Sequence, residues 1–309
     1  MTLHANLLGR AALAACCLAL AAAPALAEGP KRMLPRIGAL ADENGPERID
    51  YSGKLTMLSQ RAAAAACNKA AGIGGWEAEG YLAASIGEFD RIMAALVEGD
   101  VFISIKLPER DSKVLRRIEA TEAHWTAVRG EMRAMVAGEA TPEQLKAAAG
   151  TAPELLELIE RMVAEIVGAY ADPATLLASD AMTLDIVGRE RMMPQVISKW
   201  SCMLSEGLQT EEARIGLEDA VAHYDLALGA LRNGMPEVGV TPPPSAAIEE
   251  QLTAVDARWQ EVRPLLVGLQ SGTALSAEER ETVFYEMNAL TAQMNEVSRL
   301  YALASKQGS

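Results

Sequence analysis

Histidine, cysteine and aromatic side chains are scarce here: 309 residues hold 3 His, 4 Cys, 3 Phe, 6 Tyr and 4 Trp. His124 and His223 are the only histidines beyond the first few residues. Neither stands in an HExxH or other metal-ligand spacing, so no metal site is expected. A CxxCH haem attachment, a GxSxG elbow, a P-loop and a GxGxxG following a strand are all missing, and no cofactor is expected. These absences argue against an enzyme. After the N-terminus no segment approaches the ~20 apolar residues of a membrane span. Short alternating runs joined by hairpin turns are lacking too, so strands are not expected. Basic residues fall short of acidic ones, 28 against 42, for a net charge of −14. That balance disfavours nucleic acid or an anionic membrane as partner, since both need basic surface. It does not specify a positive partner, because acidic surface commonly serves solubility.

What is present begins with residues 1–27, which read as a secretory signal peptide. Arg10 supplies the positive region, Ala11 to Ala23 the apolar region, and Ala25-Leu26-Ala27 the small-residue cleavage pattern before Glu28. The periplasm is the expected compartment. A lesser alternative is a lipoprotein processed at Leu13-Ala14-Ala15-Cys16. Its apolar stretch between Arg10 and Cys16 is short of the usual 7–15 residues. Loss of Arg10 with the leader takes the charge from −14 to −15 and leaves Cys67 and Cys202 as the cysteines. Two cysteines in an oxidising compartment invite one disulfide; the alternative is two buried free thiols.

Helical periodicity runs through the rest, and the fold class expected is all-α. Residues 28–45, with Pro30, Pro35 and Gly45, read as a flexible tail. Breakers then cut the chain into helical segments near 46–71, 78–98, 109–137, 152–170, 175–206, 210–232, 245–270 and 276–304. The segments repeat. Ile49 to Gln60 aligns with Leu184 to Gln195, and at the same offset Cys67 meets Cys202, Gly72 meets Gly207, Phe89-Asp90 meets Tyr224-Asp225 and Gly99 meets Gly234. With one residue deleted, Trp125 to Arg129 matches Trp259 to Arg263. The expectation is two tandem antiparallel four-helix units, residues 46–171 and 172–309, related by pseudo-two-fold symmetry.

Repeated positions share one face of the first helix. Asp50, Gly53, Met57, Gln60, Ala64 and Cys67 alternate steps of three and four, a heptad seam, and Asp185, Gly188, Met192, Gln195, Lys199 and Cys202 repeat it. Gly within a helix costs ~1 kcal/mol against Ala, and polar groups on a seam are costly unless paired. Putting both on the same face twice suggests a special contact, although retained core positions would explain the Met and Leu residues as well.

Gly53-Lys54-Leu55-Thr56-Met57-Leu58-Ser59-Gln60-Arg61 and Gly188-Arg189-Glu190-Arg191-Met192-Met193 resemble the first-helix signature of the PilJ-type domain. That is the N-terminal domain of type IV pilus methyl-accepting chemotaxis transducers, related to the sensor domain of nitrate/nitrite sensor kinases. The resemblance implies four-helix bundles and, in the nitrate sensors, an anion between paired first helices. The family pattern has two arginines. Here the first copy has Thr56 and Arg61 where the second has Arg191 and Val196. The candidate ligand residues are therefore Gly53, Gln60, Arg61, Gly188, Arg191 and Gln195. Arg61 and Arg191 either converge on one small anion, as guanidinium forks do well, or are solvated. Paired first helices would also set Cys67 and Cys202 at one level, with Gly53 and Ala64 allowing close approach. The function expected is a free-standing periplasmic sensory or ligand-binding module that signals through a membrane sensor or a chemotaxis or pilus protein. The alternative is a structural or adaptor bundle without a small-molecule ligand.

Overall fold

The computed structural model describes residues 44–137, 144, 152–170 and 178–307. The signal-peptide reading and most of the expected tail lie outside the described residues. Four helices come first: α1 (Gly45–Ala70), α2 (Gly75–Glu98), α3 (Ser112–Val136) and α4 (Ala152–Tyr170). Then follow α5 (Ala178–Glu190), α6 (Met193–Ser205), α7 (Thr210–Asn233), α8 (Ala246–Gln270) and α9 (Ala277–Gln307). Among the described residues there is no strand, only two isolated antiparallel bridges, so the fold is all-α. None of these helices is long and apolar enough to cross a membrane.

In the first half, α1 packs on α2 and α4, and α3 packs on the same two, closing a ring of four around Leu55, Leu82, Phe89, Ile118, Trp125 and Ile159. In the second half α6 and α5 together stand where α1 stood, and α7, α8 and α9 enclose Ile197, Leu217, Tyr224, Leu252, Trp259 and Met294. Both cores have the same centrepiece. Trp125 and Trp259 are fully buried, and each indole N–H donates to an aspartate, Asp90 and Asp225, at 2.7 Å. Arg129 and Arg263 pair with those same carboxylates. A buried indole needs such an acceptor.

The turns repeat as well. Gly99 (φ +84°) and Gly234 (φ +77°) end α2 and α7 in a backbone region that favours glycine. Each is followed by a single 3-10 turn, Val101–Ile103 or Pro236–Val238, closed by the bridges Asp100–Ile105 and Met235–Val240.

Two local expectations are corrected. The segment 175–206 is not one helix but two, interrupted at Arg191 and Met192. Pro194 has no N–H to donate into a continuing helix, so it stands in the first turn of α6. Its counterpart Ser59 leaves α1 continuous. At the other boundary, Gly45, expected to end the tail, already opens α1, and Asn44 and Gly45 are buried. The Asn44 side chain accepts a hydrogen bond from the Lys106 N–H at 3.0 Å.

Candidate functional site

The two halves meet where α1 lies against α6. Ala62 to Ala66 are all buried; Ala62, Ala65 and Ala66 face the first half's own core, and Ala64 is the small side chain on the seam. Cys67 and Cys202 are bonded across the contact, with Sγ–Sγ 2.08 Å and Cα atoms 6.2 Å apart. The equivalent positions of the repeat therefore face each other, as the seam implied.

Beside the apolar packing of Met192 on the first core, this contact holds several polar groups. Gln60 is fully buried, and its Oε1 accepts a hydrogen bond at 3.0 Å from Nζ of Lys199, itself only 2 % exposed. The ammonium also sits 3.9 Å from the Trp200 ring centroid, within cation–π range. No ion pair to Lys199 occurs among the described residues, and burial pushes its pKa down to about 8. Two turns further along, Asn68 reaches the Ser198 hydroxyl at 3.4 Å. At the opposite end, Arg191 bonds Asp50 at 3.1 Å. A side chain at Gly53 would begin 3.6 Å from the Arg191 guanidinium, so glycine keeps that face open. The Arg191 side chain is 10 % exposed while that of Asp50 is 59 % exposed, so the cation is sheltered and its partner is not.

The other candidates lie elsewhere. Arg61 turns towards α2, donating to the Ser85 hydroxyl at 2.9 Å and standing 3.6 Å from Glu88. It thus shares no partner with Arg191, and the two guanidinium groups serve different helix contacts. Gln195 points into its own half, donating to Thr291 at 2.8 Å and to Asn288 at 3.2 Å. A side chain at Gly188 would meet nothing within 4 Å. Of the six, Gly53 and Arg191 come together across the seam, and Gln60 joins them on it.

Sequence reasoning passed over Lys199 as a functional residue. Its signal was a lysine on a seam where the other copy has Ala64. It also passed over Glu190, buried to 1 % exposure, whose carboxylate is 2.9 Å from the His223 ring. Burial raises the pKa of Glu190, and the hydrogen bond to Glu190 raises that of His223. The first copy has Leu55 and Glu88 at these places, so the repeat gave no hint of the pair.

A cavity of about 10 Å³, lined by Asn68, Ile73, Ser201, Cys202 and Arg280 among others, closes the disulfide end of the seam. It has room for about one water. Comparison with family models gives a match to PilJ, described as type IV pili methyl-accepting chemotaxis transducer N-term, over residues 42–151 and again over 175–289. One match contains α1 and the other α6, so the seam joins the two matched segments. No curated protein matches the chain.

Proposed function

Because this chain belongs to the PilJ family, the N-terminal domain of type IV pili methyl-accepting chemotaxis transducers, we propose that it is a periplasmic sensory module that combines two such units, residues 46–171 and 172–309, in one polypeptide. Its role is recognition rather than catalysis. A partner protein of the chemotaxis or pilus machinery receives the signal. The leader-like N-terminus and the disulfide support the compartment.

The observation that carries this reading is the polar, covalently closed contact of α1 with α6. Buried polar groups at a helix interface fix a single register, and that register is what a ligand would shift. The ligand class we favour is a small oxyanion at Arg191. Its present partner Asp50 is exposed and displaceable, and Gly53 leaves the approach open. Guanidinium forks suit such anions.

The test is thermal unfolding of the processed chain with a panel of nitrate, nitrite, sulfate, formate and acetate. A ligand at a hundredfold excess over its Kd stabilises by about 2.7 kcal/mol, roughly 5–10 °C for a domain of this size. One anion should give a saturable rise that Arg191→Ala abolishes. If no anion raises the Tm, the adaptor reading stands instead, in which helix faces alone bind a protein.

A further inference from the structure

The loop after α2 differs from its counterpart after α7 in a way that the fold does not require. Both loops have the same frame: a positive-φ glycine, a 3-10 turn and a closing bridge. Their surfaces differ, although Val238 in the second loop is itself 48 % exposed. In the first copy Val101, Phe102 and Leu107 project to 68 %, 88 % and 53 % exposure. The same positions in the second copy are Pro236, Glu237 and Pro242. A Phe exposed to that degree is unfavourable in water, and the Glu237 counterpart proves that the turn forms without it.

Charge follows the same contrast. Arg110, Lys113 and Arg116 are exposed and form no ion pair among the described residues. Lys113 and Arg116 lie in the opening turns of α3, where positive charge opposes the helix dipole. The counterparts of Arg110 and Arg116 in the Trp-anchored alignment are Pro244 and Glu250, the latter matching the dipole's preference. Of the neighbouring carboxylates, Asp100 pairs with Arg91 and Glu109 with Arg48, while Asp111 caps α3 and its charge also acts on Lys113 and Arg116 without an ion-pair contact.

The loop is also held stiffly. Buried Arg48 donates to the Leu96 carbonyl at 2.8 Å and to the Leu107 carbonyl at 2.5 Å. Tyr170 donates to Glu109, which in turn accepts from the N–H groups of Arg110 and Asp111. The second copy has Thr183 in place of Arg48. A buried arginine network thus fixes only the loop whose tip is apolar and whose flank is basic.

We infer that this loop is a membrane-docking tip, in which Val101, Phe102 and Leu107 enter the interface of an anionic bilayer while Arg110, Lys113 and Arg116 meet its phosphates. Apolar side chains flanked by exposed cations are the combination that anionic lipid surfaces attract. The net charge of −14 does not prevent this. Screening at physiological salt confines charge effects to about 8 Å, so the local cluster decides.

The experiment is co-sedimentation of the processed chain with vesicles of phosphatidylcholine and phosphatidylglycerol, against phosphatidylcholine alone. The expected result is binding only to the anionic vesicles, weakened by 0.5 M salt. Phe102→Glu and Arg116→Glu install residues that the second copy already carries at these positions, so the fold should persist, as circular dichroism will verify. Each should weaken binding at least about tenfold. Wild-type chain left in the supernatant of anionic vesicles would overturn the proposal. So would binding that neither variant changes.

Discussion

Lys199 is the residue whose surroundings are hardest to reconcile with stability alone. An ammonium shielded to 2 % exposure, with Gln60 and the Trp200 face as its partners, has lost water without gaining an ion pair, and the more distant Glu212 offsets only part of that burial. Its pKa of about 8 lies below the ordinary 10.5. Between those values the unfolded chain holds a proton that the folded chain has released. Stability should therefore rise as pH climbs from about 8 to 10.5, by at most about 3 kcal/mol. Urea unfolding at pH 7.5 and pH 10 measures this. Lys199→Met should flatten the rise and leave the protein at least as stable at pH 7.5; an unchanged pH slope would refute the assignment. The sequence placed Lys199 on the seam by spacing but could not say what it faced. Spacing locates a Cα on a helix face, whereas side-chain direction depends on the neighbours. That is why Gln60 reaches across to α6 while Gln195, its counterpart, turns into its own half. Arg61, one residue past Gln60, stands off the seam by spacing alone and meets Ser85 and Glu88 on α2.

At the scale of elements, the repeated Trp–Asp–Arg contact ties α2 to α3 and α7 to α8. Asp225 accepts from Trp259 and pairs with Arg263, so Asp225→Ala would strand a buried indole N–H and release an arginine. The expected cost is about 1–3 kcal/mol, with Asp90→Ala similar, read as the shift of the denaturant midpoint at constant slope. A loss near zero in both would mean that the contact is incidental. The helices themselves were legible because glycine and proline punctuate strong periodicity, and because the chain states the pattern twice. What remained hidden was the interruption at Arg191 and Met192. The repeat with α1 argued for continuity, and the single change of Ser59 to Pro194 overrode it. That interruption sets Arg191 in a turn rather than a helix, which register alone could not foresee.

For the whole molecule, the central claim is that one chain folds as a pair of PilJ-type halves whose first helices meet face to face. The order of matching residues makes this legible in the sequence, since equal positions of a duplicated unit face one another about a two-fold axis. The basic, apolar loop was not legible, because its exposed Phe102 resembles a core residue in a sequence and its cations vanish within an acidic total. The bond between Cys67 and Cys202 closes a sequence separation of 135 residues, for which the chain-entropy model gives about 5 kcal/mol of stabilisation. A Cys67→Ser, Cys202→Ser double variant should lose stability up to that amount while keeping its helical content. The most direct measurement is alkylation of the unfolded, non-reduced chain followed by peptide mapping. The paired halves predict that Cys67 and Cys202 are both protected and appear in one cross-linked peptide. Two alkylated cysteines would contradict the bond and, with it, the face-to-face contact of α1 and α6.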